Sequence, residues 1–289
     1  MIIDDHNHAY YHGTNCASML ENMDRYHIDK TWLLAWEVPE IEWDPETSWA
    51  FTRATKDAAV PLTACLEYME KAPDRFILGY APDPRDPYAL NRLKAAQKSY
   101  GVKVCGEVKL RMMYDNPDAL RLYRLAGELG MPVLMHFDYE YEKGRMFPRP
   151  SWWYGGDIDT LERVLRACPE TNFIAHAPGF WAHISGDELY KTQQYPEGPV
   201  LPGGRITELL RKYPNLYCDM SAGSGCRALS RDLSFTERFL TEFSTRVLYG
   251  RDKFDNTHQE LIERLKLSKE VKEAIYCKNA LRLIGESEP

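Results

Sequence analysis

Two histidines near the start of the chain, His6 and His8, have the spacing of a metal-binding pair. They follow the apolar residues Ile2 and Ile3, as at the end of a β-strand that leaves a buried core. Side chains two residues apart in a strand stand on one side of it, about 6 to 7 Å apart. Imidazole nitrogens are frequent ligands of first-row divalent ions. The pair therefore predicts two ligands of one metal ion, whereas a solvated terminus with a chance His-x-His motif is the alternative.

Asp4 precedes this pair with the same alternation along the strand. In a regular strand its carboxylate would lie beneath the two rings and accept a hydrogen bond that fixes the tautomer of one imidazole. We therefore expect Asp4 to support a metal ligand rather than to bind the ion itself.

Short apolar runs recur every few tens of residues, which is typical of strands, and amphipathic segments typical of helices lie between them. One such segment, 117–129, has apolar residues at helical spacing after the expected cap Asn116. Strands that alternate with helices predict a parallel sheet. Eight of them favour an α/β (β/α)8 TIM barrel over an open doubly wound sheet, which normally has a Gly-rich turn after its first strand. The predicted strands are residues 2–6, 31–36, 76–80, 104–110, 132–136, 172–176, 216–219 and 247–250.

Further groups capable of metal binding or acid–base chemistry lie where other predicted strands end. They are Glu107 and Lys109 on the fourth strand, His136 on the fifth, His176 on the sixth and Asp252 after the eighth. The reactive groups of an α/β barrel gather at the carboxyl ends of its strands. One metal centre is therefore predicted, although each residue alone also has a structural reading, such as a helix cap for Asp252.

These residues resemble the motifs of the amidohydrolase superfamily, most closely its amidohydrolase-2 branch of metal-dependent decarboxylases, hydratases and lactonases. The matching stretches are 4–8, 132–136, 173–176, 247–252 and 279–284. The resemblance implies a TIM barrel with one or two divalent ions, zinc foremost. The ligands that it implies are His6, His8, His136, His176 and Asp252.

The fourth strand is similar to the Gly-Glu motif of TatD-type metal hydrolases, over residues 105–110. This similarity implies that Glu107 bridges two metal ions. A carboxylated Lys109 as the bridging ligand is one alternative, and a Lys-Glu ion pair that fills the barrel is another.

A divalent ion held by such ligands lowers the pKa of bound water toward about 7 and polarises a substrate carbonyl. Asp252 is then expected to accept the proton of that water and pass it to the leaving group, with help from His176 or His183. Two long aromatic connections, 137–157 and 177–204, are expected to wall the pocket. Expected substrate contacts, in and beside these connections, are Lys109, Arg111, Arg145, Trp152, Trp181 and Arg251, with Arg149, Trp153 and Phe180 as further candidates.

The bulk properties limit the partners. A net charge of -7 over 289 residues gives no general attraction to nucleic acid or to anionic membranes. The seven cysteines are scattered without a C-x-x-C pair, which disfavours disulfides and thiolate zinc sites. We expect one barrel domain over residues 1–289, with a C-terminal helix at about 268–285 packed on it. A cytoplasmic protein with a small-molecule substrate is expected, and a homo-oligomer is compatible with these features.

Three functional hypotheses follow. The first is metal-dependent hydrolysis of a C–N or C–O bond, in an amide, lactone or ester, of a small polar, anionic molecule. The second is a lyase with one zinc ion that decarboxylates an acid without oxidation. The third is a metal-free lactonase or a barrel that binds without catalysis. Glu107 discriminates the first two, because a bridging carboxylate implies two ions.

Overall fold

The computed structural model describes residues 1–42, 53–55, 58–138, 153–193 and 195–287. Nine strands lie in this part of the chain, and eight of them correspond to the eight predicted from the sequence. The ninth, β3, is a three-residue segment that runs antiparallel to β2. The strands are β1 Ile3–Asn7, β2 Lys30–Glu37, β3 Ala58–Val60, β4 Phe76–Ala81, β5 Cys105–Val108, β6 Val133–His136, β7 Phe173–His176, β8 Leu216–Asp219 and β9 Val247–Leu248.

The eight predicted strands form a closed ring. Parallel pairing joins β1, β2 and β4 in one group, and β5 to β9 in sequence order in the other. The backbone N–H of Tyr80 donates to Val104 O at 2.9 Å, which connects β4 to β5. On the other side Asp5 N–H donates to Tyr249 O at 3.0 Å, which connects β1 to β9. The predicted (β/α)8 barrel is thereby confirmed.

Helices cover the outside of the ring. The segment predicted from 117–129 is the helix Pro117–Glu128, whose cap Asn116 accepts a hydrogen bond from Asp118 N–H at 2.9 Å. No helix within the described residues combines the length and the apolar character needed to cross a bilayer. The other helices are Cys16–Arg25, Leu62–Lys71, Ala89–Tyr100, Ile158–Ala167, Pro178–Trp181, Arg205–Lys212, Ala222–Ser230, Leu233–Glu242, Thr257–Arg264, Lys269–Glu273 and Asn279–Leu283, with the π-helix Ala274–Lys278 between the last two and short 3-10 turns at Glu40–Glu42, Ala182–Ile184 and Leu189–Lys191.

Apolar side chains from all eight ring strands fill the barrel interior, and the C-terminal helices pack against them. Asn279 fixes that contact, because its amide donates to the carbonyls of Ser244 and Val247, both at 2.7 Å. Val247 begins β9, so these helices cover the amino ends of the strands and leave the carboxyl ends for polar side chains. The interior cluster is Ile3, Trp32, Leu34, Ile77, Val104, Leu134, Ile174, Tyr217 and Leu248, with Cys277, Ala280, Leu281, Leu283 and Ile284 from the C-terminal segment.

Candidate metal centre

Glu107 lies at the centre of the polar residues at the carboxyl ends of the strands. Its Oε1 accepts hydrogen bonds from His136 Nδ1 at 2.8 Å and from His176 Nε2 at 2.9 Å. Its Oε2 faces Nε2 of His8 at 3.5 Å and Nε2 of His6 at 3.9 Å. Burial alone would raise the pKa of Glu107, but the hydrogen bonds from the histidines outweigh it and hold the pKa well below the usual range. One carboxylate therefore links all four histidines.

Asp252 lies beside the N-terminal pair, as the metal-centre prediction requires. Its backbone N–H donates to His6 O at 2.9 Å, and its Oδ1 is 3.6 Å from His8 Nε2. Burial raises the pKa of this carboxyl although the two histidines oppose the shift. Asp252 follows the His pair by about 245 residues in the sequence, yet its carboxylate lies beside the two imidazoles in the fold.

The spacing of these atoms fits a bound cation. Zinc lies about 2.0 to 2.2 Å from nitrogen and oxygen ligands, so two ligands of one ion are at most about 4.4 Å apart. The distances from 2.8 to 3.9 Å around Glu107 meet this limit. Within the described residues, His6 Nε2 and Asp252 Oδ1 are buried and accept or donate no hydrogen bond. Leaving such atoms unsatisfied is costly, and a divalent cation would satisfy both.

The second ring nitrogen of three histidines is held by a neighbour. The contacts are His6 Nδ1 to Asp219 Oδ2 at 2.7 Å, His8 Nδ1 to Leu34 O at 2.9 Å and His176 Nδ1 to Ser221 Oγ at 3.3 Å. Each contact orients Nε2 toward the centre, as partners of metal-binding histidines do. Burial would lower the pKa of His6, but Asp219 outweighs it and raises the pKa to about 9.

Asp219 is a site residue that the sequence analysis missed. It ends β8, so the strand-end argument that selected His136 and His176 applies to it equally. The close packing around it also explains Gly250, where a Cβ would collide with the Asp5 carboxylate and lie 3.0 Å from Asp219 Oδ1. Glycine at this position allows the eighth barrel strand to approach the metal centre.

Two predictions, for Asp4 and Arg251, were wrong. The Asp4 carboxylate binds Arg251 instead of an imidazole, with Oδ2 accepting from Nε and Oδ1 from the backbone N–H, both at 2.8 Å. Arg251 Nη1 also donates to Asn22 at 2.9 Å, and the arginine is fully buried. Its guanidinium therefore cannot contact substrate as predicted. The register of β1 shifts between Asp4 and Asn7, so the regular alternation on which the Asp4 prediction relied does not hold.

We expect Arg251→Met to destabilise the fold by about 3 to 5 kcal/mol, because it leaves the buried Asp4 carboxylate without its cation. Urea unfolding followed by circular dichroism measures the change in free energy. Arg25→Met is the control, since Arg25 forms an exposed pair with Glu21, and should change little. A fully stable Arg251→Met protein that has lost only substrate affinity would restore the original prediction.

Lys109 lies two residues beyond Glu107, with its ammonium near the rings of Trp36 and Tyr154 at 5.7 and 5.5 Å from their centroids. Burial would lower its pKa, but the charges of Glu107 and its neighbours outweigh it and raise the pKa. Because Glu107 rather than Lys109 contacts the histidines, the carboxylated-lysine alternative is disfavoured. The contact of Lys109 with substrate stays a prediction.

Trp181 and His183 lie on the connection after β7. Trp181 is buried, and its indole N–H donates to Asp219 O at 3.0 Å. It also lines a cavity together with Tyr195 and Arg227, so its contact with substrate stays a prediction. His183 packs against Tyr190, with 4.2 Å between ring centroids. Burial lowers the pKa of His183 to about 4, and the charges that act on it come from Asp157, Arg205 and Asp159 rather than from the metal centre. Its predicted catalytic role stays a prediction.

The remaining candidates have three different outcomes. Arg111 follows β5, and its backbone N–H donates to Glu42 at 2.9 Å, which leaves its contact with substrate a prediction. Phe180 is buried against Trp181 and serves packing. Arg145, Arg149 and Trp152 lie outside the described residues.

Comparisons with known proteins bear on the family and the fold of this chain. A family model described as amidohydrolase (Amidohydro_2) matches residues 17–285. No curated protein sequence matches the chain. Among solved structures, 2,6-dihydroxybenzoate decarboxylase from Rhizobium is similar, with a TM-score of 0.62, 16% identity and coverage of 98% of both chains.

Two further structures show the range of activities on this fold. A dihydroxybenzoic acid decarboxylase from Polaromonas sp. JS666, with bound manganese, has a TM-score of 0.57 and 16% identity, and 93% of this chain and 85% of that chain are covered. A probable 2-pyrone-4,6-dicarboxylic acid hydrolase from Acinetobacter baumannii has a TM-score of 0.57 and 13% identity, and the match covers 98% of this chain and 99% of that chain. Identities this low show the fold alone. The family match, which extends over most of the sequence, shows that the chain belongs to the amidohydrolase family.

Proposed function

We propose that this protein is a hydrolase with two divalent metal ions that cleaves a C–N or C–O bond, in an amide, lactone or ester, of a small anionic molecule. The orientation of Glu107 supports this proposal. One of its oxygens faces the pair His6 and His8, and the other faces His136 and His176. A carboxylate that offers one oxygen to each of two ligand groups has the arrangement of a bridging ligand between two ions.

The ligands also favour a particular class of metal. Four imidazoles with carboxylates suit zinc and other first-row ions better than magnesium or calcium, which prefer oxygen. We therefore propose zinc as the metal. One ion would be bound by His6, His8 and Asp252, and the other would be bound by His136 and His176. Glu107 would bind both ions. The manganese in the Polaromonas decarboxylase makes that metal the first alternative to test.

When bound, the metal ions would polarise the scissile carbonyl and make water nucleophilic at neutral pH. The chain itself then moves the proton. Asp252 Oδ1 is buried beside His8 and would face the metal ion. We therefore expect the other carboxylate oxygen of Asp252 to accept a proton from water and deliver it to the departing nitrogen or oxygen. The hydrogen bond from the Asp252 backbone N–H to His6 O holds the carboxyl in place for both transfers.

Decarboxylation of an acid is the second candidate. Two dihydroxybenzoate decarboxylases share the fold of this chain at 16% identity, so this reaction is the one to test against hydrolysis. The two reactions have different products. The protein is incubated with a panel of carboxylate-bearing lactones, amides and esters, together with aromatic acids, and the products are measured. We expect release of acid without release of carbon dioxide. Carbon dioxide release by a protein with one ion per chain would establish the decarboxylase instead.

Replacing Glu107 with glutamine tests the bridging role. The amide has lost the anionic charge and one of the two oxygens, so we expect the bound metal to fall from two ions to at most one. Hydrolysis should fall by at least about 100-fold, because the loss of a partner that only orients a metal ligand already costs roughly 10- to 100-fold. Elemental analysis and initial rates measure the two effects.

The matched control is Glu37→Gln, at the end of β2, because the Glu37 carboxylate binds Tyr80 and Arg92 instead of histidines. This variant should keep both ions. If Glu107→Gln also keeps both ions and the wild-type rate, Glu107 is not a bridging ligand and the hydrolase proposal loses its support.

A further inference from the structure

The phenol of Tyr114 connects the two strand ends that carry Glu107 and His136. Tyr114 follows β5 in the sequence and is fully buried. Its hydroxyl donates its one proton to two backbone carbonyls, Val108 O at 2.7 Å and His136 O at 2.9 Å. The same oxygen accepts a hydrogen bond from Leu110 N–H at 3.3 Å. One side chain therefore contacts the backbone of both strands where they reach the metal centre.

The pairing of β5 with β6 does not fix this part of the centre by itself. Its register shifts between Cys105 and Val108, and Glu107 lies within the irregular stretch. The Glu107 carboxylate nevertheless meets His136 Nδ1 at 2.8 Å. Buried carbonyls need a hydrogen-bond partner, so the phenol of Tyr114 favours the spacing of the strand ends at which both carbonyls reach it.

The position of the Tyr114 ring is itself well determined. Its backbone N–H donates to Gly155 O at 3.0 Å, and its ring meets Phe137 edge to face with 5.2 Å between centroids. Gly155 has a φ of +86°, and a Cβ there would lie 2.5 Å from the Tyr114 ring. Burial raises the pKa of Tyr114 well above its usual value. The hydroxyl therefore keeps its proton and remains a donor.

We propose that Tyr114 is a positioning residue for the second metal ion, because it holds Glu107 and His136 at the distance that one ion requires. This inference rests on the proposed function, in which that ion is bound by Glu107, His136 and His176. Tyr114 acts through the backbone and is not itself a ligand. The first ion depends less on Tyr114, since its other ligands lie on the first and last strands of the barrel.

Tyr114→Phe tests this role, because it removes only the hydroxyl. We expect the affinity for the second zinc ion to fall by roughly 10- to 100-fold, the usual effect of losing a group that orients a metal ligand. The affinity for the first ion should change much less. Competition with a chromogenic chelator measures both dissociation constants on folded protein, and anomalous zinc occupancy in crystals assigns the weakened ion to its site.

Tyr123→Phe is the matched control. Tyr123 is as deeply buried as Tyr114, and its hydroxyl has no hydrogen-bond partner in the part of the chain that the structure describes. Removing that hydroxyl should leave the affinities for both ions unchanged. The comparison therefore separates the contacts with the two strand ends from the general effect of deleting a buried hydroxyl.

A second pair of variants tests the same contacts without changing Tyr114. Gly155→Ala places a methyl group against the Tyr114 ring and should reproduce the selective loss of the second ion. Gly156→Ala is its control, because Gly156 also has a positive φ but an added Cβ would meet Thr160 and Met113 instead. This control should keep both ions. If Tyr114→Phe does not fold, this pair decides the question.

Three results would overturn the role of Tyr114. They are a folded Tyr114→Phe protein that binds both ions as tightly as Tyr123→Phe does, an equal weakening of both ions, and a weakening confined to the first ion. A wild-type protein that binds a single ion would refute the two-metal hydrolase instead. The role of Tyr114 would then be judged by whether Tyr114→Phe weakens that ion relative to Tyr123→Phe.

Discussion

Asp252→Asn is expected to reduce kcat by about 10²- to 10⁴-fold, the usual contribution of a general acid–base group. Asparagine has nearly the same shape as aspartate but cannot accept a proton at neutral pH. The backbone hydrogen bond to His6 O is unaffected, so the folded structure should persist. Steady-state rates with the best substrate from the panel, measured on protein of known metal content, give the change.

Asp255→Asn is the control for this substitution. Asp255 lies three residues further along the same loop, and its Oδ1 accepts hydrogen bonds from Thr257, a cap that asparagine can replace. We expect nearly unchanged rates for this variant. Near-wild-type activity of metal-loaded Asp252→Asn would show that another group moves the proton.

The double replacement of His6 and His8 with alanine should remove the metal ion bound at β1. Loss of a partner that only orients a ligand costs roughly 10- to 100-fold in metal affinity, and two direct ligands must cost more. We expect no more than one ion per chain, held by His136 and His176, together with loss of turnover. Elemental analysis after dialysis against buffer without metal measures the remaining content.

Two further variants show whether the loss is specific. His8→Ala keeps the contact between His6 and Asp219, so its fold should be closer to that of the wild type while it still binds metal more weakly. His27→Asn changes an exposed histidine and should bind metal normally. Full occupancy in a folded double variant would mean that the pair does not bind metal.

The sequence predicted the barrel well because the strands are short apolar runs, several of which end in a polar residue. The run from Phe173 to His176 is an example, and the structure has the strand over the same residues. β3 was not predicted, because three residues before Pro61 are too few to show alternation. Its antiparallel pairing with β2 depends on a contact between segments distant in the sequence.

The contacts within the site were harder to predict from the sequence, because the side chains that pair there come from distant parts of the chain. The pairing of Asp4 with Arg251 spans almost the whole sequence, and no local pattern indicates it. The alternation of side chains along a regular strand predicted that Asp4 would contact an imidazole. That prediction was wrong, since the register of β1 is irregular. The hydrogen bond from the Trp181 indole to the end of β8 is likewise a tertiary contact that the sequence does not indicate.

The most direct test of the two-metal centre is a crystal structure of the zinc-loaded protein with anomalous diffraction recorded at the zinc edge. Two peaks are expected, one next to His6, His8 and Asp252 and the other next to His136 and His176, with one Glu107 oxygen on each ion. The expected separation is about 3.5 to 4 Å. A single peak, with Glu107 bound to it through one oxygen or not at all, would contradict the account.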